Sequence, residues 1–518
     1  MSKLANRRLC PAVQREITSA ECGENRGSRY ACPANCSFSP LASANYSQLL
    51  ALEQPLDNQC LQRLDEDADD PIALKLAIRR AMARNLPHEL HSLIAWLFLY
   101  ERDAEGHTCA QRWERDGFPG LKNDARVLLR AKMQLRVGLI EILQVIDAER
   151  TEVVDLLGAQ PQRLIIMDRG LASAATRFGV ALTWLYPLPH YCRIAGAALF
   201  MKEIPGFEPR EVLEIMVRHL GGPLDEAGIY RWLAKNFVLL EQALEAVGTE
   251  RRRLTLMSID VIFGQADYEL LAPLSECRDQ LEAMTDMVGD VVKDDESSEG
   301  FTEAWDWLVG LDHPDEFTPG PSSRAVLGRV LGHHSRWRVE AMSGKKFALL
   351  RKKFEARMGT KVRFISERLD DLIHRKAAQE PRADLSLVPP RLLENLEQIQ
   401  LSTVRTQLDD PTRSPDQLTQ EFFTAQDRIF LDDSIPDLDG RTPREAARDP
   451  QLRPKLIRLI KSRVRITDQR NLQTGRNDDI NWMVRELGLD EIDFAAPPPG
   501  RVPRTLIAQN FSNNALSE

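Results

Sequence analysis

Apolar and polar positions change rhythm several times along the 518 residues. Residues 1–46 show little periodicity and hold Gly, Pro, Asn and Ser throughout. From 47 to 130 the spacing is helical. Leu49, Leu50 and Leu52 open one helix, Ile72, Leu74, Leu76 and Ile78 sit in the next, and HSLIAWLFLY at 91–100 predicts a buried helix. Between 131 and 205 the runs shorten to LRVGLIEILQVID, TEVVDLLG, QRLIIMDR, VALTWLYPL and HYCRIAGAALFM. They are rich in Val, Ile, Leu and Tyr and are separated by turn formers, which predicts about five strands of a small, mostly antiparallel barrel. Helical spacing returns over 206–289, as in Val212, Leu213, Ile215, Met216 and Leu220. An acidic stretch, 290–322, ends in TPGPSS and reads as a linker.

Over 323–380 the pattern is strand, strand, helix, strand, the helix KKFALLRKKFEARMG stopped by Gly359. Residues 381–493 are mostly helical and read as an interaction module. The tail 494–518, with three consecutive prolines, reads as disordered. The expected fold is α+β and mostly helical, with a small antiparallel β-barrel in the first half and a ββαβ unit in the second.

Length alone requires more than one core, because cores stop growing at roughly 250–300 residues. A hydrophobic share of 43% and a charged share of 28% are ordinary for globular chains. No apolar run approaches the ~18–20 residues of a membrane helix, and no apolar core follows the basic N-terminus. The expectation is a cytoplasmic protein with no membrane partner. Eight cysteines are too few for a disulfide scaffold.

Four of those cysteines, Cys10, Cys22, Cys32 and Cys36, crowd into the first 36 positions as C-x11-C-x9-C-x3-C. Tetrahedral zinc needs four thiolate or imidazole donors, and four thiolates also suit an iron–sulfur cluster. A segment with almost no apolar side chains needs a metal to organise it. Gly23, Gly27 and Pro33 permit tight turns, and Arg26 and Arg29 can offset a tetrathiolate charge. The reading is structural zinc, with an iron–sulfur cluster or unligated thiols as the alternatives. Cys60, Cys109, Cys192 and Cys277 are scattered singly and read as buried thiols.

The net charge of −9 is unevenly spread. Positions 286–316 carry eleven acids and one lysine, whereas 324–363 carry twelve basic residues and two acids. Arg336, Arg338, Lys345, Lys346, Arg351, Lys352 and Lys353 are candidate nucleic-acid contacts, interleaved with Trp337, Phe347, Phe354 and Phe364. The competing reading is a solvated face, or one neutralised by the acidic stretch before it. No nucleotide-binding, zinc-protease or serine-nucleophile motif is present in the sequence.

Two resemblances add to this. TEVVDLLG, IIMDRGLA and LTWLYPLPHYCRIAGAALF, together with VLGRVLG and WRVEAMSGKKFALLRKKFEARMG, resemble a group of uncharacterised bacterial proteins that often carry a SEC-C metal-binding motif. That motif's own C-x-C opening is absent here, and the N-terminal cysteine cluster stands in its place. LDDSIPDLDGRTPREAARDPQLRPKLIRLI resembles the toxin-binding segment of Xre–MbcA–ParS antitoxins. Asp439 and Gly440 make a turn, Thr442 caps a helix, Pro443 fits its first position and Glu445 completes a capping box. The resemblance implies a protein-binding helical pair whose stripe is Leu452, Leu456, Leu459 and Ile460. The alternative is a well-capped pair packed on its own chain. The functional expectation is a non-enzymatic, metal-binding protein whose macromolecular partner is a protein first and a nucleic acid second. An enzyme with a non-standard site is the remaining class.

Overall fold

A computed structural model describes residues 7–68, 71–83, 87–158, 160–258, 261–309, 323–379, 382–396, 404–406 and 415–501. The chain forms two units that are not consecutive in sequence. One comprises Met1–Ala246, Leu385–Leu392 and Ala446–Glu518, and the other Val247–Asp384 and Leu393–Glu445.

The first unit opens with a hairpin, β1 (Arg7–Cys10) and β2 (Arg15–Thr18), followed by helix α1 (Ser19–Asn25). Helices α2 (Tyr46–Asp67), α3 (Pro71–Ala83), α4 (Pro87–Ala95), α5 (Cys109–Arg115) and α6 (Asn123–Lys132) come next. The expected helix at 91–100 is the end of α4 plus a π turn, Trp96–Tyr100. The barrel is then built from β3 (Arg136–Val145), β4 (Arg150–Asp155), β5 (Gln162–Met167), helix α7 (Arg169–Ala174), β6 (Val180–Leu188) and β7 (Tyr191–Met201). It closes in the order β3-β4-β5-β7-β6, with β6 returning to β3. All its pairings are antiparallel except β5 with β7. Period-2 alternation sends Ile140, Ile142, Val153, Ile166, Ala181, Leu185 and Ile194 inward to one core.

Helices α8 (Pro209–His219) and α9 (Glu226–Ser258) follow. The outward residues of β6, Leu182, Trp184 and Tyr186, are also buried. Trp184 stacks on Phe237 of α9 at 5.7 Å and meets Tyr100 edge-on at 6.1 Å. That double burial explains why VALTWLYPL is apolar almost throughout.

The second unit is one large sheet with α10 and α12 on the face that holds its core. Its elements are β8 (Phe263–Leu270), α10 (Leu274–Glu282), β9 (Met287–Asp290), α11 (Asp294–Ser298), β10 (Glu303–Leu308), β11 (Ser323–Gly332), β12 (Arg336–Ala341), α12 (Gly344–Met358), β13 (Val362–Asp370), α13 (Leu372–Gln379), β14 (Val404–Thr406) and α14 (Pro415–Asp432). Strand order is β13-β8-β12-β11-β10-β9, with β14 paired to β11. The core lies under α10 and α12, where Trp305 stacks on Trp337 at 5.4 Å beside Phe347, Leu350 and Phe354. Gly264 and Gly328 let α12 approach: a Cβ on the first would come 2.3 Å from the Phe347 ring, and on the second 2.4 Å from Leu350.

The chain ends with α15 (Pro443–Ala446), and then α16 (Arg453–Thr474) and α17 (Asn481–Glu486) in the first unit. Helix α16 starts with Pro454 and stops at Gly475, which has φ of 73°.

The barrel and the ββαβ pattern appear where the periodicity puts them, but several boundaries need correction. The helical stretch 206–289 ends in β8, α10 and β9. The expected linker 290–322 is instead built into the sheet as β10, as far as the described residues reach; 310–322 lies outside them. The acids of the stretch mask the strand signal there, although β10 itself, EAWDWL, holds only Glu303 and Asp306. Trp305 and Trp307 face the core while Asp306 faces the other way and meets Arg329. The ββαβ segment 323–380 supplies three strands, β11, β12 and β13, of this larger seven-stranded sheet. The helical module 381–493 is divided between the two units and includes β14. The start of the expected disordered tail is held in place: the Phe494 carbonyl accepts from Arg177 and Asn481, and Arg501 donates to the Ala172 and Ala175 carbonyls. Residues 502–518 lie outside the described residues.

Candidate functional site

The four N-terminal cysteines come from four pieces of local structure. Cys10 ends β1 in a tight turn in which the Gln14 N–H donates to the Cys10 carbonyl at 2.8 Å. Cys22 lies on α1, whose N-terminus is capped by Thr18 accepting from the Glu21 N–H. Cys32 and Cys36 bracket a turn closed by Cys36 N–H to the Pro33 carbonyl at 3.0 Å. Cys10, Cys22 and Cys36 are buried and Cys32 is half-buried. Cys10 and Cys22 share a small cluster with Ile17. Burial raises the Cys32 thiol above its usual range, and Cys36, Cys22 and Cys10 push the same way against a hydrogen bond from Gly27. All eight cysteines are free thiols. Among the described residues no set of three or more His, Cys, Asp and Glu side chains is arranged to hold a metal ion. The quartet is a neighbourhood of soft donors, not a closed coordination shell.

This module is stitched to its unit at three places. Arg26 grips Asp124 at the start of α6 with two N–H groups, Nε at 2.7 Å, and its own carbonyl accepts from Asn123 at 2.9 Å. Asn45 donates to the Cys36 and Ser39 carbonyls at 2.9 and 2.8 Å. His190, in the two-residue turn between β6 and β7, donates from Nε2 to the Cys32 carbonyl at 2.8 Å.

Directly beyond, α2 enters a buried polar network on the outside of β6 and β7. Arg193 pairs with both oxygens of Glu53 (3.1 and 2.8 Å), with Asp168 at 2.8 Å, and with the Met167 carbonyl and the Tyr46 hydroxyl. Tyr186 donates to Glu53 as well. Burial pushes the Glu53 carboxyl up, but the hydrogen bonds and charge of Arg193, with Tyr186, outweigh it and hold the group below its usual value. Of these residues sequence reasoning singled out Asp168 alone, as a turn carboxylate expected to cap, and it does cap α7 through the Leu171 N–H at 2.8 Å. Glu53 and Tyr46 look like ordinary helix positions, and only the fold brings them to Arg193.

On the other side of the barrel, β4 and β5 are open. Arg150, Gln162 and Arg163 are exposed, and Glu152, Val154 and Ile165 half-buried. Arg163 lies over the Phe494 ring at 5.6 Å.

The basic segment is scattered rather than massed. Arg338 is buried and meets Asp267 (2.9 Å), Glu299 (2.6 Å) and Glu340 (3.6 Å). Arg336 donates to the Glu299 carbonyl and lies over Phe301. Arg329 meets Asp290, Glu296 and Asp306. Lys346, on the buried side of α12, donates to the Val326 carbonyl, and desolvation lowers its pKa. Arg351 pairs with Glu355 and Glu367 and stacks on Phe364 at 4.4 Å. The side chains of Lys345, Lys352 and Lys353, all on α12, have neither an acidic partner nor a hydrogen-bond partner among the described residues.

The C-terminal stripe is used inside the chain. Leu452, Leu456 and Ile460 are buried and Leu459 is half-buried, so they do not form the partner surface that the antitoxin likeness implied. Helix α16 lies against the barrel, with Lys461 on Glu141 at 2.8 Å and Ser462 on Glu203 at 2.9 Å. The capping box itself is present: Thr442 accepts from the Glu445 N–H at 3.2 Å, and Glu445 from the Thr442 N–H at 3.0 Å.

The class that the first unit defines follows from its connectivity. Five strands close as first-second-third-fifth-fourth, the third and fifth are parallel, and a helix joins the third to the fourth, which is the layout of an OB-type barrel. No protein-family model, curated protein or solved structure matches the chain. Among the described residues no helix is long and apolar enough to cross a membrane.

Proposed function

We propose that this chain is a non-enzymatic binding protein in which Cys10, Cys22, Cys32 and Cys36 take one structural zinc ion and the open β4–β5 face of the barrel takes a macromolecular partner, a protein in the first instance. The supporting observation for the metal is the cysteine neighbourhood: three buried thiols and a half-buried fourth in a segment with few other apolar side chains. Thiolates are the donors zinc prefers, and four of them leave no open position for substrate. An iron–sulfur cluster is the alternative occupant of the same four thiols. For the partner, the support is that helices cover the barrel on the β3, β6 and β7 side, while β4 and β5 keep Arg150, Gln162 and Arg163 exposed. Strands two and three are the binding face of OB-type barrels.

Elemental analysis of the purified full chain tests the metal. One zinc per chain, lost in Cys10→Ser and Cys36→Ser, is expected. Iron with labile sulfide selects the cluster, and neither metal sinks the reading. For the face, cross-linking from a probe placed at position 163 should capture a partner that Ile165→Asp no longer retains.

A second reading, nucleic-acid binding, rests on the three unpaired lysines of α12. Fluorescence polarisation with a labelled single strand at low salt should show binding that Lys345→Ala, Lys352→Ala and Lys353→Ala together weaken. Three lost phosphate contacts flatten the log–log salt slope by about 2, at roughly 0.7 per contact on single strands. Equal binding by wild type and triple variant removes this reading.

A further inference from the structure

The strap that follows Phe494 leaves a cavity behind it. Both ends of the strap are tied down. The Phe494 carbonyl accepts from Arg177 and Asn481, and Arg501 Nη1 donates to the Ala172 and Ala175 carbonyls at 3.1 and 2.6 Å. Between them stand prolines 497–499, which have a fixed φ and no N–H. They cannot donate back onto the last turn of α16, and so they hold the strap off it. A cavity of about 300 Å³ remains, lined by the prolines, by Leu472 and Gly475 at the end of α16, by Arg476 and Asn477 after it, and by Arg501. That is about twice the ~150 Å³ that takes benzene in an apolar interior.

The chemistry of this space is set by which groups are already paired. Asp468 and Asp478 line it too, but both are committed. Asp468 accepts from the Arg177 N–H, Nε and Nη2, and Asp478 lies 3.5 Å from Arg470 and 3.3 Å from Arg476. Arg501 differs. Among the described residues only its Nη1 is used, both acceptors are neutral carbonyls, and no carboxylate lies within ion-pair distance. Burial lowers its pKa; the attraction of Asp468, opposed by the repulsion of Arg177, does not restore it. The edge left over, Nε with Nη2, is the edge with which Arg177 grips Asp468 and Arg193 grips Glu53. Its parallel N–H groups match the two oxygens of a carboxylate.

We infer that this cavity binds a small organic acid, its carboxylate held side-on by Arg501 Nε and Nη2 and its apolar body set against prolines 497–499 and Leu472. One uncompensated positive charge calls for one negative charge, and a desolvated cation without a partner gains most from it. Binding needs no movement of the strap, because the nitrogen that anchors Arg501 is not one that the ligand uses. The site is separate from the cysteine quartet and from the β4–β5 face, and it rests on neither reading.

A ligand-observed NMR titration of the full chain with sodium benzoate at constant ionic strength tests the site, with benzamide as the neutral control. Benzoate should bind with a dissociation constant on the order of 1 mM. Benzamide should bind about ten-fold more weakly, the weight of the charge in the hydrogen bonds. Arg501→Lys keeps the charge and a donor for the two carbonyls but loses the fork, and should weaken benzoate by about ten-fold. Leu472→Trp fills the cavity while leaving Arg501 in place, and should weaken benzoate as well. On wild type, benzoate should slow hydrogen exchange across 472–478, a result that depends on no variant. The site is overturned if wild type does not bind benzoate, if benzamide binds equally, if either folded variant keeps wild-type affinity, or if the protection maps away from 472–478.

Discussion

Arg177 is the clearest case of one residue holding distant sequence together. Its guanidinium is fully buried and uses every N–H: Nε and one terminal nitrogen on Asp468, the other terminal nitrogen on Asn481 Oδ1 and the Phe494 carbonyl, with Asp479 at the edge. Removing one partner of such a pair strands a buried charge, so Arg177→Met should cost about 3–5 kcal/mol, read as a lower urea midpoint for the barrel unit. A near-wild-type midpoint would show that water replaces the arginine. Glu241 on α9 makes the opposite case. Burial, then the nearby Glu245 and Glu89, raise its pKa from near the ordinary 4.5 to about 7. The folded chain then keeps a proton that the unfolded chain releases, so this contribution is intact below pH 4.5 and is lost as pH rises toward 7. Glu241→Gln should leave stability at pH 4.5 almost unchanged and raise it relative to wild type at pH 8; equal shifts at both values would exclude titration as the cause. Neither residue could be singled out from sequence. An arginine and a glutamate in polar surroundings look alike until the fold decides which is desolvated.

At the scale of elements, what depends on neighbours three or four positions away was legible. Thr442 and Glu445 form the capping box that their spacing implied, and Thr442→Ala should cost ~1 kcal/mol in unit stability. Gly359 and Gly475 end α12 and α16 with positive φ. The barrel strands fall within the short apolar runs of 131–205. Which face of an element meets what was not legible. The stripe on α16 reads equally as a docking surface or a core seam, and the barrel takes it. Leu456→Ala should therefore destabilise by roughly 2–5 kcal/mol, and Leu459→Ala by clearly less, because only the first is fully buried. Matching losses in thermal unfolding would contradict this burial difference.

For the whole molecule, charge is the instructive quantity. Twelve basic residues within forty positions looked like a surface, yet Arg329, Arg336 and Arg338 share the sheet face away from the Trp305–Trp337 core while Lys345, Lys352 and Lys353 sit on α12 over the other face, and pairing brings Asp267, Asp290 and Asp306 from other strands against Arg338 and Arg329. Among the described residues Lys345, Lys352 and Lys353 on α12 stay unmatched, so any nucleic-acid affinity should fall steeply with salt and should survive Arg336→Gln. The sequence alone determined the helices and strands of the barrel and of the ββαβ segment, the caps, and the spacing of the cysteine quartet, because each depends on residues close along the chain. The tertiary structure alone decided that the two units are discontinuous, that the acidic stretch carries α11 and the sheet strand β10, and that Arg193 and Arg177 are buried. Those outcomes depend on partners such as Glu53 and Asp468, 140 and 291 positions away, whose pairing energy exists only once the backbone has brought them together.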